Sequence, residues 1–200
     1  MSTAARVKDL VAQLEPGAFV HARDLPGSRA SVESAVSRLA SDGELVRVRK
    51  GLYFRPDEEG GAAPDPLAVG LAIAGPGSGP ARTSAARLFG LTTQVPAIVV
   101  VAVAGRAPSD RAHIRFVARP SRRREVGLTP YEVALLELLR DYDSVAERPL
   151  ETLAVTLAGA ISDGSVRPEL IRRTVAAEWH VAARKRLTAV EALLDEVTPA

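Results

Sequence analysis

The run Leu45-Val46-Arg47-Val48-Arg49-Lys50-Gly51-Leu52-Tyr53-Phe54-Arg55 constrains the N-terminal fold more than any other segment. Apolar residues alternate with basic ones about a Lys-Gly turn, the pattern of a β-hairpin. A three-residue loop Arg49-Lys50-Gly51, with Gly51 left-handed, pairs Val48 with Leu52 and Val46 with Phe54 on one face. That register leaves Arg47 and Tyr53 outside and Arg49 and Lys50 at the tip. A two-residue loop would instead set Arg47 opposite Phe54.

Helical signals precede the hairpin. Val7, Leu10, Val11 and Leu14 form one apolar stripe that Pro16-Gly17 stops, and Phe19-Val20 begins a short extended piece. Ala22 to Leu25 has room for one helical turn before Pro26-Gly27. Ser28 then caps a helix to about Ser41, with Val32, Ala35, Val36 and Leu39 inward. The order of helix, short helix, longer helix and basic hairpin is that of a winged helix-turn-helix. The outward positions of the longer helix, Arg29, Ala30, Ser31, Ser34, Ser37 and Arg38, are small, polar or basic. Such a face enters a major groove unobstructed, and arginine pairs bidentately with guanine. Arg47, Arg49, Lys50 and Tyr53 would meet the neighbouring backbone or minor groove. The expected DNA contacts are therefore Arg29, Ser31, Ser34, Ser37, Arg38, Arg47, Arg49, Lys50 and Tyr53. A protein-binding wing with solvated arginines is the plainer alternative.

Three segments are expected: a DNA-binding domain over 1–56, a linker over 57–66 rich in Glu, Gly, Ala and Pro, and an α+β domain over 67–200. Leu67–Ala74 reads as an apolar helix and Gly75-Pro76-Gly77-Ser78-Gly79-Pro80 as a loop. Its two prolines remove amides that a phosphate cradle needs, and no Lys-Ser or Lys-Thr follows. Ser84–Phe89 is a short helix, Ala97–Val103 a buried strand, and Ala112–Ala118 a strand pairing with it across the turn near Gly105 to Asp110. The remainder reads as a helical bundle. Thr129-Pro130-Tyr131-Glu132 is a capping box that starts a helix striped by Tyr131, Leu135, Leu138 and Tyr142. Pro149 opens a second helix, Ser165–Trp179 makes a third with Trp179 expected in the core, and Leu187, Val190, Leu194 and Val197 stripe a fourth.

Net charge is +3 over 1–56, +3 over 57–126 and −4 over 127–200, so an anionic partner suits the front and a basic one the acidic helices, through Glu147, Glu151 and Asp163. Arg119, Arg122, Arg123 and Arg124 crowd six residues, as a phosphate or acidic-protein contact or as a solvated loop. With no cysteine, disulfides, thiol nucleophiles, thiolate zinc sites and iron–sulfur clusters are excluded. His21, His113 and His180 are too scattered to suggest a metal site, and no cofactor is expected. Asp141-Tyr142-Asp143 resembles the metal-binding aspartates of nucleotidyltransferases. The Gly77-Ser78 element is too distant to complete that pattern, and no nucleophile elbow surrounds Ser84. An enzyme is not expected. No apolar run approaches the ~18 residues of a membrane span, and Arg6, Lys8 and Asp9 interrupt the place of a signal sequence. The expected location is the cytoplasm.

One family resemblance rests on Val32, Ala35, Ser37-Arg38-Leu39, Asp42-Gly43, Arg47-Val48 and Lys50-Gly51-Leu52-Tyr53, followed by the block Ser84-Ala85-Ala86-Arg87-Leu88-Phe89-Gly90-Leu91-Thr92-Thr93-Gln94-Val95-Pro96. These residues resemble the AbiEi-type antitoxins of bacterial abortive-infection (type IV toxin–antitoxin) systems, over roughly residues 10 to 118. Phe89 departs from the family's smaller residue, and residues 127–200 carry no part of the likeness. The resemblance implies a winged helix that binds operator DNA and represses its own operon. It also implies a second domain that neutralises a cognate nucleotidyltransferase toxin, a role in phage defence. A dimer on DNA is one form such a repressor would take. The alternative is a winged-helix transcription regulator whose second domain senses a small molecule.

Overall fold

A computed structural model describes residues 2–57 and 63–197, with side chains to residue 196. Residues 58–62 of the expected linker, and the side chain of Val197, lie outside the described residues. The chain is a mixed α+β protein that divides into two compact units, Met1–Ile73 and Ala74–Ala200. The division falls at the end of a helix rather than in the expected 57–66 segment.

In the first unit, helix α1 (Thr3–Gln13) is capped by Ser2, whose hydroxyl accepts from Ala5 N at 3.3 Å. Strand β1 (Phe19–His21) leads into a single 3-10 turn (Ala22–Asp24). Helix α2 (Arg29–Ser41) is capped by Ser28, and β2 (Val46–Arg49), β3 (Leu52–Phe54) and α3 (Pro66–Ala74) follow. Val7 and Val11 of α1 and the inward stripe of α2 meet Val20, Leu45 and Tyr53 in one core with Leu14 packed against it, whereas Leu10, expected in the α1 stripe, is exposed. At about 1.5–3 kcal/mol for each fully buried large apolar side chain, this small core is what holds α2 in place. Arg55 Nη1 donates to the carbonyls of Ala12 and Leu14, satisfying the end of α1 that no glycine cap serves.

The sheet corrects the hairpin register. Strand β3 is central, in the order β1-β3-β2, all antiparallel. Val46 opposes Phe54 as expected, but Arg49 rather than Val48 opposes Leu52, because a bulge lies between Arg47 and Arg49. Tyr53 is not outside: it is 5% exposed. The pairing of β1 with β3 places Val20 beside it and turns both toward the helices, while Phe54 packs on Phe19 at 5.1 Å between ring centroids.

The second unit begins with β4 (Gly79–Ala81) and α4 (Thr83–Leu88), then β5 (Val99–Ala104), β6 (Ile114–Arg119) and the short α5 (Arg122–Glu125). Four longer helices follow: α6 (Pro130–Val145), α7 (Leu150–Ser162), α8 (Pro168–Glu178) and α9 (Val181–Val197). The capping box at Thr129 is formed in full. Three sequence expectations fail. First, β5 and β6 pair parallel, from Val99 with Ile114 to Ala104 with Arg119. The connection after Gly105 runs back along the strand, and its Asp110 accepts from the Phe116 amide at 2.9 Å, an amide the sheet leaves unpaired.

Second, Gly79–Ala81 is a strand, antiparallel to β5, and not a loop. Pro80 is tolerated because β4 is an edge strand. The glycines permit close packing: a Cβ on Gly79 would lie 2.4 Å from the Pro130 carbonyl oxygen, and one on Gly77 2.5 Å from the Arg124 amide nitrogen. We expect Gly79→Ala to destabilise the second unit by about 1–3 kcal/mol through overpacking. Gly159→Ala, mid-helix in α7 with open space around it, should stabilise by about 0.5–1 kcal/mol. Urea midpoints moving the same way in both variants would refute this reading.

Third, Trp179 is 77% exposed, not core. It ends α8 in a left-handed conformation with φ +55°. That turn carries the indole outward under the Arg184 guanidinium, 5.7 Å from the ring centroid, while Glu178 before it points inward.

Candidate nucleic-acid interface

Because Val32, Ala35, Val36 and Leu39 anchor α2, the helical period leaves Arg29, Ser31, Ser34, Ser37 and Arg38 exposed on the opposite side. Their hydroxyls are partly engaged. Ser31 Oγ lies 2.8 Å from the capping Ser28 Oγ, and Arg38 donates to Ser34 Oγ at 3.3 Å. Ser37 gives its carbonyl to the Ser41 hydroxyl at 3.0 Å and keeps its own side chain exposed.

Two open grooves flank this helix. One, of about 560 Å³, lies between α2 and the β2–β3 turn and is lined by His21, Arg23, Arg29, Glu33, Arg49 and Lys50 among others. The other, of about 490 Å³, lies between α2 and the start of α1, lined by Ser2, Thr3, Ser31, Ser34 and Arg38. One flank is thus strongly cationic and the other rich in hydroxyls.

Six of the nine expected contact residues line the two grooves, Arg29, Arg49 and Lys50 in one and Ser31, Ser34 and Arg38 in the other; Ser37 and Arg47 are exposed outside them, and Tyr53 is removed from the set by its burial. Among the described residues, no carboxylate pairs with Arg38, Arg47, Arg49 or Lys50. Three charged or titratable residues of the cationic groove were missed in the sequence, His21, Arg23 and Glu33, as were Ser2 and Thr3 of the other. Glu33 stands one turn from Arg29 and accepts from its Nε at 2.9 Å. That hydrogen bond, aided by Lys50 and Arg47, holds the Glu33 carboxyl below the usual carboxylate range. The (i, i+4) spacing of Arg29 and Glu33 was the available signal.

In the second unit the arginine cluster divides: Arg123 is internal, which corrects its reading as an exposed contact, Arg119 is partly buried, and Arg122 and Arg124 are exposed. Arg123 is fully buried, donating to Glu137 at 2.7 Å and to Glu178 at 2.5 and 2.8 Å. Arg119 forks onto Glu137 at 2.8 and 2.6 Å. Arg124 donates to the Ala104 and Pro76 carbonyls. Arg122 is exposed and, among the described residues, has no hydrogen-bond or ion-pair partner.

The Thr92-Thr93-Gln94 loop is held by Glu147, whose carboxylate accepts from Thr93 N at 3.0 Å and Gln94 Nε2 at 2.7 Å; these bonds keep it below its usual range. Asp163 likewise accepts from Ser165 N at 2.8 Å, and Glu151 is exposed. Asp143 pairs with Arg186 at 2.5 Å, so the Asp141-Tyr142-Asp143 triplet is a helix end around a buried tyrosine. The apolar cavity among α6, α7, α8 and α9 has about 40 Å³, far below the ~300 Å³ of an ordinary small-molecule site. Comparison with the sequence models of known families gives no match, and neither does comparison with curated proteins.

Proposed function

We propose that the first unit is a winged helix-turn-helix that binds duplex DNA, with α2 in the major groove and the β2–β3 turn on the adjoining backbone. The observation that carries this reading is the pair of grooves beside α2. A helix seated in a major groove has a phosphate backbone on each side, and α2 is flanked on one side by Arg49 and Lys50 of the hairpin, with its own Arg29 held by Glu33, and on the other by hydroxyl donors. Base contacts fall to Arg29, Ser31, Ser34, Ser37 and Arg38, and backbone contacts to Arg47, Arg49 and Lys50.

The resemblance of the Ser84–Pro96 block to AbiEi-type antitoxins extends the proposal. The chain is a transcriptional autorepressor in the cytoplasm whose second unit neutralises a cognate nucleotidyltransferase toxin. Two readouts test the whole. Full-length protein titrated onto a fluorescent duplex should lose affinity with salt at a log–log slope of about −4 to −5, for about five phosphates neutralised. A flat salt dependence would end the DNA reading. Co-expression should restore growth to cells carrying the cognate toxin; continued arrest with soluble protein present would remove the antitoxin role.

A further inference from the structure

His21 was set aside in the sequence as one of three scattered histidines, yet the fold places it in the cationic groove. It ends β1 opposite Leu52, and the next amide, Ala22 N, donates to the Gly51 carbonyl at 2.9 Å. His21 is thereby fixed at the foot of the Arg49-Lys50-Gly51 turn, half-buried, lining the same groove as Arg23, Arg29, Arg49 and Lys50. Among the described residues, none hydrogen-bonds its imidazole.

We propose that this groove is a phosphate site for the DNA backbone in which His21 is a ligand, gripping the phosphodiester as imidazolium together with Arg23 and Arg49. The inference rests on the DNA reading above and adds to it a residue and a proton. The charged groups facing the imidazole are Arg23 and Asp24 from the 3-10 turn, Arg49 and Lys50 from the hairpin, and Arg29 with Glu33 from α2. Burial and then Arg23 and Arg49 disfavour the charged ring, against Asp24, so it titrates below its ordinary value. A phosphate reverses that balance. It offers an anionic acceptor to the ring N–H and offsets the arginine charges.

Binding therefore takes one proton from solvent onto His21. A group whose pKa is raised in the complex strengthens binding at pH below that raised value, and the gain fades as pH rises through it. A difference of about one unit between free and bound states is about tenfold in affinity.

The test is fluorescence anisotropy of the full-length protein on a labelled 20-base-pair duplex of arbitrary sequence, at constant ionic strength from pH 8.0 to 5.5. The wild type should tighten about tenfold across that range, and its salt slope should steepen by up to about 0.9 at the acid end. His21→Gln should stay nearly flat over the same range, so that at pH 5.5 it binds about tenfold more weakly than the wild type. His21→Asn provides the same measurement with a shorter side chain should Gln alter the fold. A flat wild-type profile overturns the His21 proposal and leaves the DNA reading standing, as does a pH dependence that survives in both variants. Absence of binding at any pH in 50 mM salt overturns both.

Discussion

Glu137→Ala is expected to destabilise the second unit by about 3–5 kcal/mol, the cost of leaving a buried charge without its partner. The carboxylate is wholly buried on α6 and is shared by two guanidinium groups, Arg119 from the end of β6 and Arg123 from α5. Arg123 passes the connection on to Glu178 at the end of α8, which also accepts from Arg140 at 3.3 Å. Removing Glu137 leaves the fully buried Arg123 with Glu178 as its one carboxylate and takes from Arg119 the carboxylate it forks onto. Since domains of this size are stable by about 5–15 kcal/mol, the variant should sit near the edge of folding. The urea midpoint, followed by far-ultraviolet circular dichroism, measures it. Replacing both partners, Glu137→Leu with Arg123→Met, should recover part of the loss, because the most deeply buried charge pair is then apolar, Glu178 keeps Arg140 and the partly exposed Arg119 can turn to solvent. Burial alone would raise the Glu137 pKa, but the hydrogen bond from Arg119 and the charges of Arg123 and Arg119 outweigh it, and the net shift is downward. The stabilisation is therefore complete above the unfolded carboxyl value of about 4.3 and is lost as pH falls through the lower folded value. A single variant within about 1 kcal/mol of wild type would show the network to be dispensable.

The elements that could be read in the sequence are those specified by neighbours within a turn or two. Ser28 and Thr129 cap helices through groups three residues away, and the stripes of α1, α2 and α6 follow the helical period. The exposed polar and basic face of α2 was legible for the same reason. What could not be read depends on partners far along the chain. Tyr53 is buried because Phe19–His21 pairs beside it, and three-residue strands are too short to show a period. Gly79 reads as a turn residue until the Pro130 carbonyl is placed against it. Arg123 reads as one of a solvated run until Glu137 and Glu178 close on it from two helices. His21 joins the groove beside α2 only through the turn it pairs with.

Replacing Arg49 and Lys50 together by alanine should weaken duplex binding about 30-fold, from roughly 1 kcal/mol for each lost charged contact. The loss should be nearly the same on every sequence. Both residues sit at a turn held by β3 and carry no carboxylate partner among the described residues. With no ion pair to break they can meet phosphates directly, and the log–log salt slope should fall in magnitude by about 1.8 for two phosphates released. Substitutions on α2 act differently. Arg38 donates to Ser34, so Ser34→Ala frees the guanidinium and Arg38→Ala removes it; each should change the ranking of sequences, by about 1–3 kcal/mol at the position concerned. Glu33 supplies a contrast, since it neutralises Arg29 at 2.9 Å and faces Arg47 and Lys50. Glu33→Gln should raise affinity for all duplexes by releasing Arg29, and should relax any preference that its carboxylate sets through a cytosine amino group. Binding selections with randomised duplexes, run on wild type and these variants at one salt concentration, separate the two classes. If the hairpin variants re-rank sequences while the α2 variants only weaken binding, then α2 lies on the backbone and the hairpin reads the bases.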